Sequence, residues 1–258
     1  MPVLFVGHGS PMNAIEDNEA TRAWARVASG IPKPKAILCV SAHWLTRGTF
    51  VTAMKSPQTI HDFGGFPREL YDVSYPAPGA PEVADRAKEA AEPTPVGLDL
   101  DWGLDHGAWS VLRRMYPEAD VPIVQFSIDI AKPGLYHYEL GKRLAPLRDE
   151  GILIVGSGNV VHNLGMIAWE KMDGGPYGFD WALEFDAAVK ERIETGRDGE
   201  LADYGKLGAA AALAVPTPDH YYPLLYALGA RDAAEPFAVF NEAPVGGSLT
   251  MTSYRFGS

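Results

Sequence analysis

Apolar residues along this chain fall into two rhythms. Short runs recur at Val3-Leu4-Phe5-Val6, Ala36-Ile37-Leu38-Cys39-Val40, residues 121–127 and Ile152-Leu153-Ile154-Val155. Apolar runs of this length, bounded by turn residues, predict strands covered on both faces, as in a parallel sheet. Between them, helical stretches are predicted over residues 19–28, 82–92, 108–115, 133–148 and 180–195. Leu135, Leu140, Leu144 and Leu147 line one side of the fourth. Trp181, Phe185, Ala188 and Val189 line one side of the last, where Glu184, Lys190, Glu191 and Arg192 carry charge. Strand and helix alternate, which places the chain in the α/β class.

Weaker patterns fill in the rest. Residues 49–54, 96–100, 237–241 and 248–254 predict further strands, the last alternating enough to be a half-exposed antiparallel edge. Residues 208–215 are rich in alanine. Pro216-Thr217-Pro218-Asp219-His220 has the form of a helix start, with Thr217 as N-cap, Pro218 at the first helical position and His220 in the first turn. Residues 56–95, rich in Pro, Gly and aromatics, predict a long ordered loop that serves as a lid or pocket wall. No repeat, low-complexity tract or linker interrupts the sequence. The reading is therefore one domain over 1–258, with a central mostly parallel or mixed sheet flanked by helices. Its active site is expected at the carboxyl ends of the strands.

Histidines stand at those ends. His8 follows the first apolar run between two glycines, His43 closes the second, and His162 lies a few residues beyond the third. With His220 they predict one shared metal site. His106 is another histidine followed by glycine, at the head of an apolar helical run. His137 lies within a helical stretch and reads as structural, while His61, beside Asp62, reads equally as pocket lining or as structure. Imidazole suits zinc, iron, copper and nickel, so histidines alone do not choose the metal.

Composition narrows the function classes. Of 258 residues, 47% are hydrophobic and 21% charged, ordinary values for a globular protein. The formal net charge of −11, with no basic run, argues against nucleic acid as a partner, since phosphate binding needs clustered Lys and Arg. Cys39 is the only cysteine, so neither an internal disulfide nor a thiolate metal cluster is open to the chain, and its place in an apolar strand predicts an inert buried thiol. There is no secretory leader and no apolar run near the ~18 residues of a membrane span, so a cytoplasmic protein without a membrane partner is expected. His-Glu-x-x-His is absent, and Val155-Gly156-Ser157-Gly158-Asn159 fails the Gly-x-Ser-x-Gly nucleophile elbow. Gly7-x-Gly9 and Gly156-x-Gly158 lack the third glycine of a dinucleotide loop, and no phosphate-loop lysine follows either.

Six ordered motifs carry a resemblance over nearly the whole chain. They are Gly7-His8-Gly9-Ser10-Pro11-Met12, Ser41-Ala42-His43-Trp44, Thr59-Ile60-His61-Asp62-Phe63-Gly64-Gly65-Phe66-Pro67, Asp105-His106-Gly107, Ser157-Gly158-Asn159-Val160-Val161-His162-Asn163 and Pro216-Thr217-Pro218-Asp219-His220. Together they closely resemble the bacterial 4,5-DOPA extradiol dioxygenase family. That family belongs to the class III extradiol ring-cleavage dioxygenases, with the protocatechuate 4,5-dioxygenase catalytic subunit as a distant relative. The resemblance implies metal ligation by His8, His43 and His220, with His162 as acid/base or fourth ligand and His106 as its partner in proton transfer. It implies a catechol substrate, DOPA-like or related, opened with O2 to a semialdehyde.

The wider class uses two histidines and a glutamate, whereas the Pro216 to His220 motif offers a histidine where the carboxylate is expected. Ring opening calls for Fe(II), while a set of histidines also makes a good Zn(II) site, and members of this family resemble zinc proteins as purified. A zinc-dependent hydrolase or lyase using the same histidines is the alternative enzyme, and a metal-clamped binding module the non-catalytic one. Phe63, Phe66, Tyr71 and Tyr75 offer an apolar wall for a ring, and a substrate carboxylate would seek a cation such as Arg47 or Arg68.

Overall fold

Side chains of successive strand residues point to opposite faces, so an unbroken apolar run needs cover on both. In the computed structural model, which describes residues 1–172 and 174–258, both covers are present. Val3 and Phe5 belong to one apolar cluster and Leu4 and Val6 to another, all four fully buried.

In chain order the strands are β1 (Val3–Gly7), β2 (Ala36–Thr46), β3 (Thr49–Thr52), β4 (Val96–Asp99), β5 (Ile123–Asp129), β6 (Ile152–Gly158), β7 (Phe237–Phe240), β8 (Pro244–Val245), β9 (Leu249–Thr250) and β10 (Ser253–Phe256). The helices are α1 (Glu19–Ser29), α2 (Arg68–Tyr71), α3 (Pro81–Ala90), α4 (His106–Met115), α5 (Gly134–Leu144), α6 (Asp180–Glu194), α7 (Asp198–Leu201), α8 (Ala211–Ala214) and α9 (Tyr222–Ala230). One sheet has the order β4-β3-β5-β2-β6-β1-β10-β7, and β8 and β9 form a small second ribbon. Its centre, β5-β2-β6-β1, is parallel. Toward the flanks, β3 runs antiparallel to β5, and β10 runs antiparallel to both β1 and β7. The sheet is mixed, with a parallel core.

Residues of α1 and α4, Leu70 of α2 and the loop residues Val73 and Tyr75 cover one face, burying Trp24 and Trp109. Residues of α3, α5, α6 and α9 cover the other. Each fully buried Val, Leu or Ile contributes roughly 1.5–3 kcal/mol of transfer free energy, so the doubly covered centre is the rigid part of the molecule. Among the described residues no helix is long and apolar enough to cross a membrane.

Three sequence expectations need correction. The predicted edge strand over 248–254 is instead two short pieces, β9 and β10, and β10 is an interior strand, because β7 pairs along its outer side and takes the edge. The helix expected from Thr217 begins at Tyr222. Pro223 has no N–H to donate and is tolerated only in a helix's first turn, so the helix cannot extend back to Thr217. Residues 218–222 form a turn in which the Tyr222 N–H donates to Pro218 O at 2.8 Å, and His220 precedes the helix. Finally, β2 runs on past His43 to Thr46, with an irregular register against β5 between Val40 and Leu45.

Candidate metal centre

His8 is delivered by β1, and its backbone N–H donates to Gly158 O on β6 at 3.0 Å. Gly9 follows with φ +60°, a left-handed turn that redirects the chain directly after the histidine. The ring is buried, 2% exposed, and its Nδ1 lies 3.1 Å from Ser157 Oγ. Ser157 donates its single hydroxyl proton to Gly107 O at 2.5 Å, so toward His8 it accepts. His8 therefore carries its proton on Nδ1, and Nε2 is left as a lone pair.

That lone pair faces Nε2 of His43 at 3.2 Å. On the other side of the His43 ring, Nδ1 lies 3.6 Å from Asp62 Oδ2. His220 comes from the opposite face. Its Nδ1 is hydrogen-bonded to Asp219 Oδ2, which leaves its Nε2 free. The backbone allows this approach because Gly158 has no side chain. A Cβ there would sit 2.1 Å from His220 O, and the neighbouring Asn159 N–H donates to that same carbonyl at 2.9 Å. The Gly156-Ser157-Gly158 sequence thus carries an acceptor for His8 and a close crossing for His220.

Ring centroids of His8, His43 and His220 stand 5.1, 5.2 and 5.0 Å apart, a nearly equilateral triangle. One ligand atom from each lies within 4.8 Å of the others. Each Nδ1 faces an oxygen behind it, from Ser157, Asp62 and Asp219 respectively, the arrangement that fixes tautomer and direction in metal-binding imidazoles. Burial, followed by the charges of the neighbouring histidines, holds His8 and His43 well below the usual histidine pKa, Asp62 opposing the shift at His43. Neutral imidazoles with inward lone pairs are what a divalent first-row ion requires, and the residues fit Fe(II) and Zn(II) alike.

The two remaining histidines flank the triangle. His162 follows β6, is tied by its N–H to Ala214 O at 2.9 Å, and stacks on His220 with centroids 3.5 Å apart and planes 4° from parallel. Burial and then the charge of His220 push its pKa down to about 3, so the ring is neutral. His106, the first residue of α4, lies 3.8 Å from His43 and 6.0 Å from His8, centroid to centroid. Asp62 touches it twice, accepting from its backbone N–H at 2.8 Å and placing Oδ2 2.9 Å from Nδ1. The angle of this second contact is too bent for a formal hydrogen bond. Burial raises the Asp62 carboxyl, but bonding to His106 and the charges of His106 and His43 outweigh it and hold it below its ordinary value.

All five histidines singled out from the sequence, His8, His43, His106, His162 and His220, therefore gather in one place. His61 does not join them: its Nε2 lies 3.0 Å from Val73 O and its ring packs edge-on against Phe63 and Trp109. Buried His137 is remote in contact, hydrogen-bonded through Nδ1 to Tyr226 OH at 3.0 Å.

Several supporting residues escaped the sequence reading. Asp105 is fully buried, accepts from Ser41 Oγ and Gln125 Nε2 at 2.6 Å each, and caps α4 through Ala108 N at 3.1 Å. It fastens the start of α4, and with it His106, to β2 and β5. The available signal was a polar residue inside each of three apolar strands, Ser41, Gln125 and Ser157, since a buried polar group demands a partner.

Relatives agree with this architecture. The family model of the catalytic LigB subunit of aromatic ring-opening dioxygenase matches residues 2–256. The 4,5-DOPA dioxygenase extradiol of Escherichia coli (strain K12) is 52% identical, over 100% of this chain and 95% of its own length. The protein of the same name from Beta vulgaris is 39% identical, over 99% of this chain and 96% of its own length. A crystal structure of an uncharacterised protein from Escherichia coli K12 superimposes with a TM-score of 0.86 at 47% identity, covering all of both chains. From fold and sequence together, the chain belongs to the LigB/4,5-DOPA extradiol dioxygenase family, a family of enzymes that open aromatic rings.

Proposed function

We propose that this protein is an extradiol dioxygenase that opens the ring of a DOPA-like catechol with O2, with Fe(II) held by His8, His43 and His220. The observation that carries the reading is the nearly equilateral triangle of imidazoles, each with Nδ1 facing an oxygen behind it and Nε2 left as the nitrogen open to an ion. Bound there, ferrous iron supplies the redox capacity that O2 chemistry needs and orients the diol beside the oxidant. The relatives named as DOPA dioxygenases support the substrate class.

The chain's own residues handle protons and position. His162, neutral and stacked on His220, accepts a catechol hydroxyl proton. His106, on the opposite side of His43, returns a proton as the carbon–carbon bond beside the diol breaks and both oxygen atoms enter the product, leaving a semialdehyde with a carboxylate. Phe63, edge-on to His106 at 5.5 Å, sets an apolar surface against the proton carrier and helps exclude water. The protein is proposed to act in the cytoplasm, without nucleic acid or membrane as a partner.

The test is oxygen uptake by protein reconstituted anaerobically with Fe(II), given L-DOPA and a panel of simple catechols, beside the same protein loaded with Zn(II). Uptake with the iron form and none with the zinc form is expected, together with the absorbance of a ring-opened semialdehyde. An iron form that consumes no O2 with any catechol would sink the proposal. Hydrolytic turnover by the zinc form would favour the hydrolase alternative instead.

A further inference from the structure

Asp62 lies in the irregular stretch between β3 and α2, yet its place is fixed from both sides. Ile60 N–H donates to Leu104 O and Leu104 N–H to Gln58 O, each at 2.7 Å. Trp109 Nε1 donates to Ile60 O at 2.8 Å, and the His61 ring reaches Val73 O. So anchored, the loop inserts one carboxylate between two imidazoles. Its Oδ1 accepts from the His106 backbone, and its Oδ2 faces Nδ1 of both His106 and His43, at 2.9 and 3.6 Å. The side chain is only 18% exposed although the loop backbone around it meets solvent. Neither contact closes a formal hydrogen bond, but an ionised carboxylate cannot donate, and its charge favours a proton on the ring nitrogen it faces, which leaves Nε2 as the lone pair.

We propose that Asp62 is a positioning residue that sets, with one carboxylate, the tautomer and ring direction of both the metal ligand His43 and the proton carrier His106. Its reach across two segments distant in sequence couples the metal's surroundings to the proton path. A carboxylate behind a metal-bound imidazole is worth about 10- to 100-fold in metal affinity or activity. Here the same group also holds the ring that moves the proton. The kinetic part of this inference rests on the catechol-opening reading; the structural part does not.

Asp62→Asn separates the two. The amide keeps an oxygen for the His106 backbone N–H but turns an NH2 toward both Nδ1 atoms, so His106 is expected to move its proton from Nδ1 to Nε2. Imidazole 15N resonances of the Zn(II)-loaded protein read this without turnover. Zn(II) affinity is expected to fall by about 10-fold and kcat of the Fe(II) form by about 10- to 100-fold, with KM for the catechol within about threefold. Asp62→Glu, which keeps the carboxylate, is expected to restore the Nδ1 proton and part of kcat. Wild-type tautomers and kcat in Asp62→Asn would overturn the proposal, as would a raised KM at unchanged kcat, which would make Asp62 a substrate contact. Should the wild-type iron form consume no O2, the reaction is wrong while the 15N spectra still decide the role of Asp62.

Discussion

Two buried polar clusters in this molecule look alike by composition and differ in closure. In one, Arg231 at the end of α9 meets Asp198 at the start of α7 through two bonds of 2.6 Å, donates to Ile193 O at 3.1 Å, and lays its guanidinium over the Phe256 ring. Charge is matched by charge, with the carboxylate set directly against the guanidinium. In the other, three imidazoles turn lone pairs toward one another, with pKa values pushed down by burial and mutual charge at His8 and His43. Its partners lie behind the rings rather than between them. A closed cluster holds elements together; an open one, held from behind, is prepared for something that is not protein.

Breaking each cluster should separate stability from function. Asp198→Ala leaves a buried guanidinium unpaired and is expected to cost about 3–5 kcal/mol, read by denaturant melts, while the remaining folded protein still binds metal. His8→Ala is expected to do the reverse, losing the metal by elemental analysis with a melting temperature near that of the wild-type apoprotein. A full metal complement in His8→Ala would refute its place among the ligands.

His137 tests whether a buried histidine outside the open cluster behaves as structure. Burial, partly offset by nearby carbonyls and Asp129, lowers its pKa from 6.5 to about 4. The unfolded chain therefore binds a proton there at higher pH than the folded one. The stability contributed is fully present above pH 6.5 and is lost as pH falls toward 4, about 3 kcal/mol at 1.36 kcal/mol per unit. Urea melts across that window should show a shallower pH dependence in His137→Gln than in wild type, and parallel curves would discard the assignment.

The smallest expected effect on the fold is the most informative about chemistry. His162→Ala should retain metal and melting temperature yet lose turnover by roughly 10²-fold or more, the scale of a positioned acid/base. Unchanged turnover would remove His162 from the proton path, and loss of metal would make it a ligand.

Much of this was legible before any coordinates. Strand-forming apolar runs are covered on both sides by necessity, so the parallel centre follows from Val3 to Val6, Ala36 to Val40 and Ile152 to Val155 alone. Histidines beside glycine, serine and asparagine at the ends of such runs marked His8, His43 and His162. The start of α9 lies past the cap signal at Thr217 because Pro223, lacking an N–H, is confined to the first turn of the helix and decides the boundary. The edge was misread because alternation in 248–254 does not reveal which strand lies outside it.

The sequence by itself determined the α/β class, the strands that carry His8 and His43, and the histidines that had to be explained. Only the tertiary structure decided which oxygen stands behind the His8 and His43 rings, whereas Asp219 already adjoins His220 in the chain. Asp62 and Ser157 are ordinary residues in their own segments. Asp62 meets His43 and His106 only when a loop anchored on Leu104 and Trp109 crosses the end of the sheet. Local pattern reports which face a residue shows; tautomer and direction depend on contacts between segments far apart in the chain, and those exist only once the chain has packed.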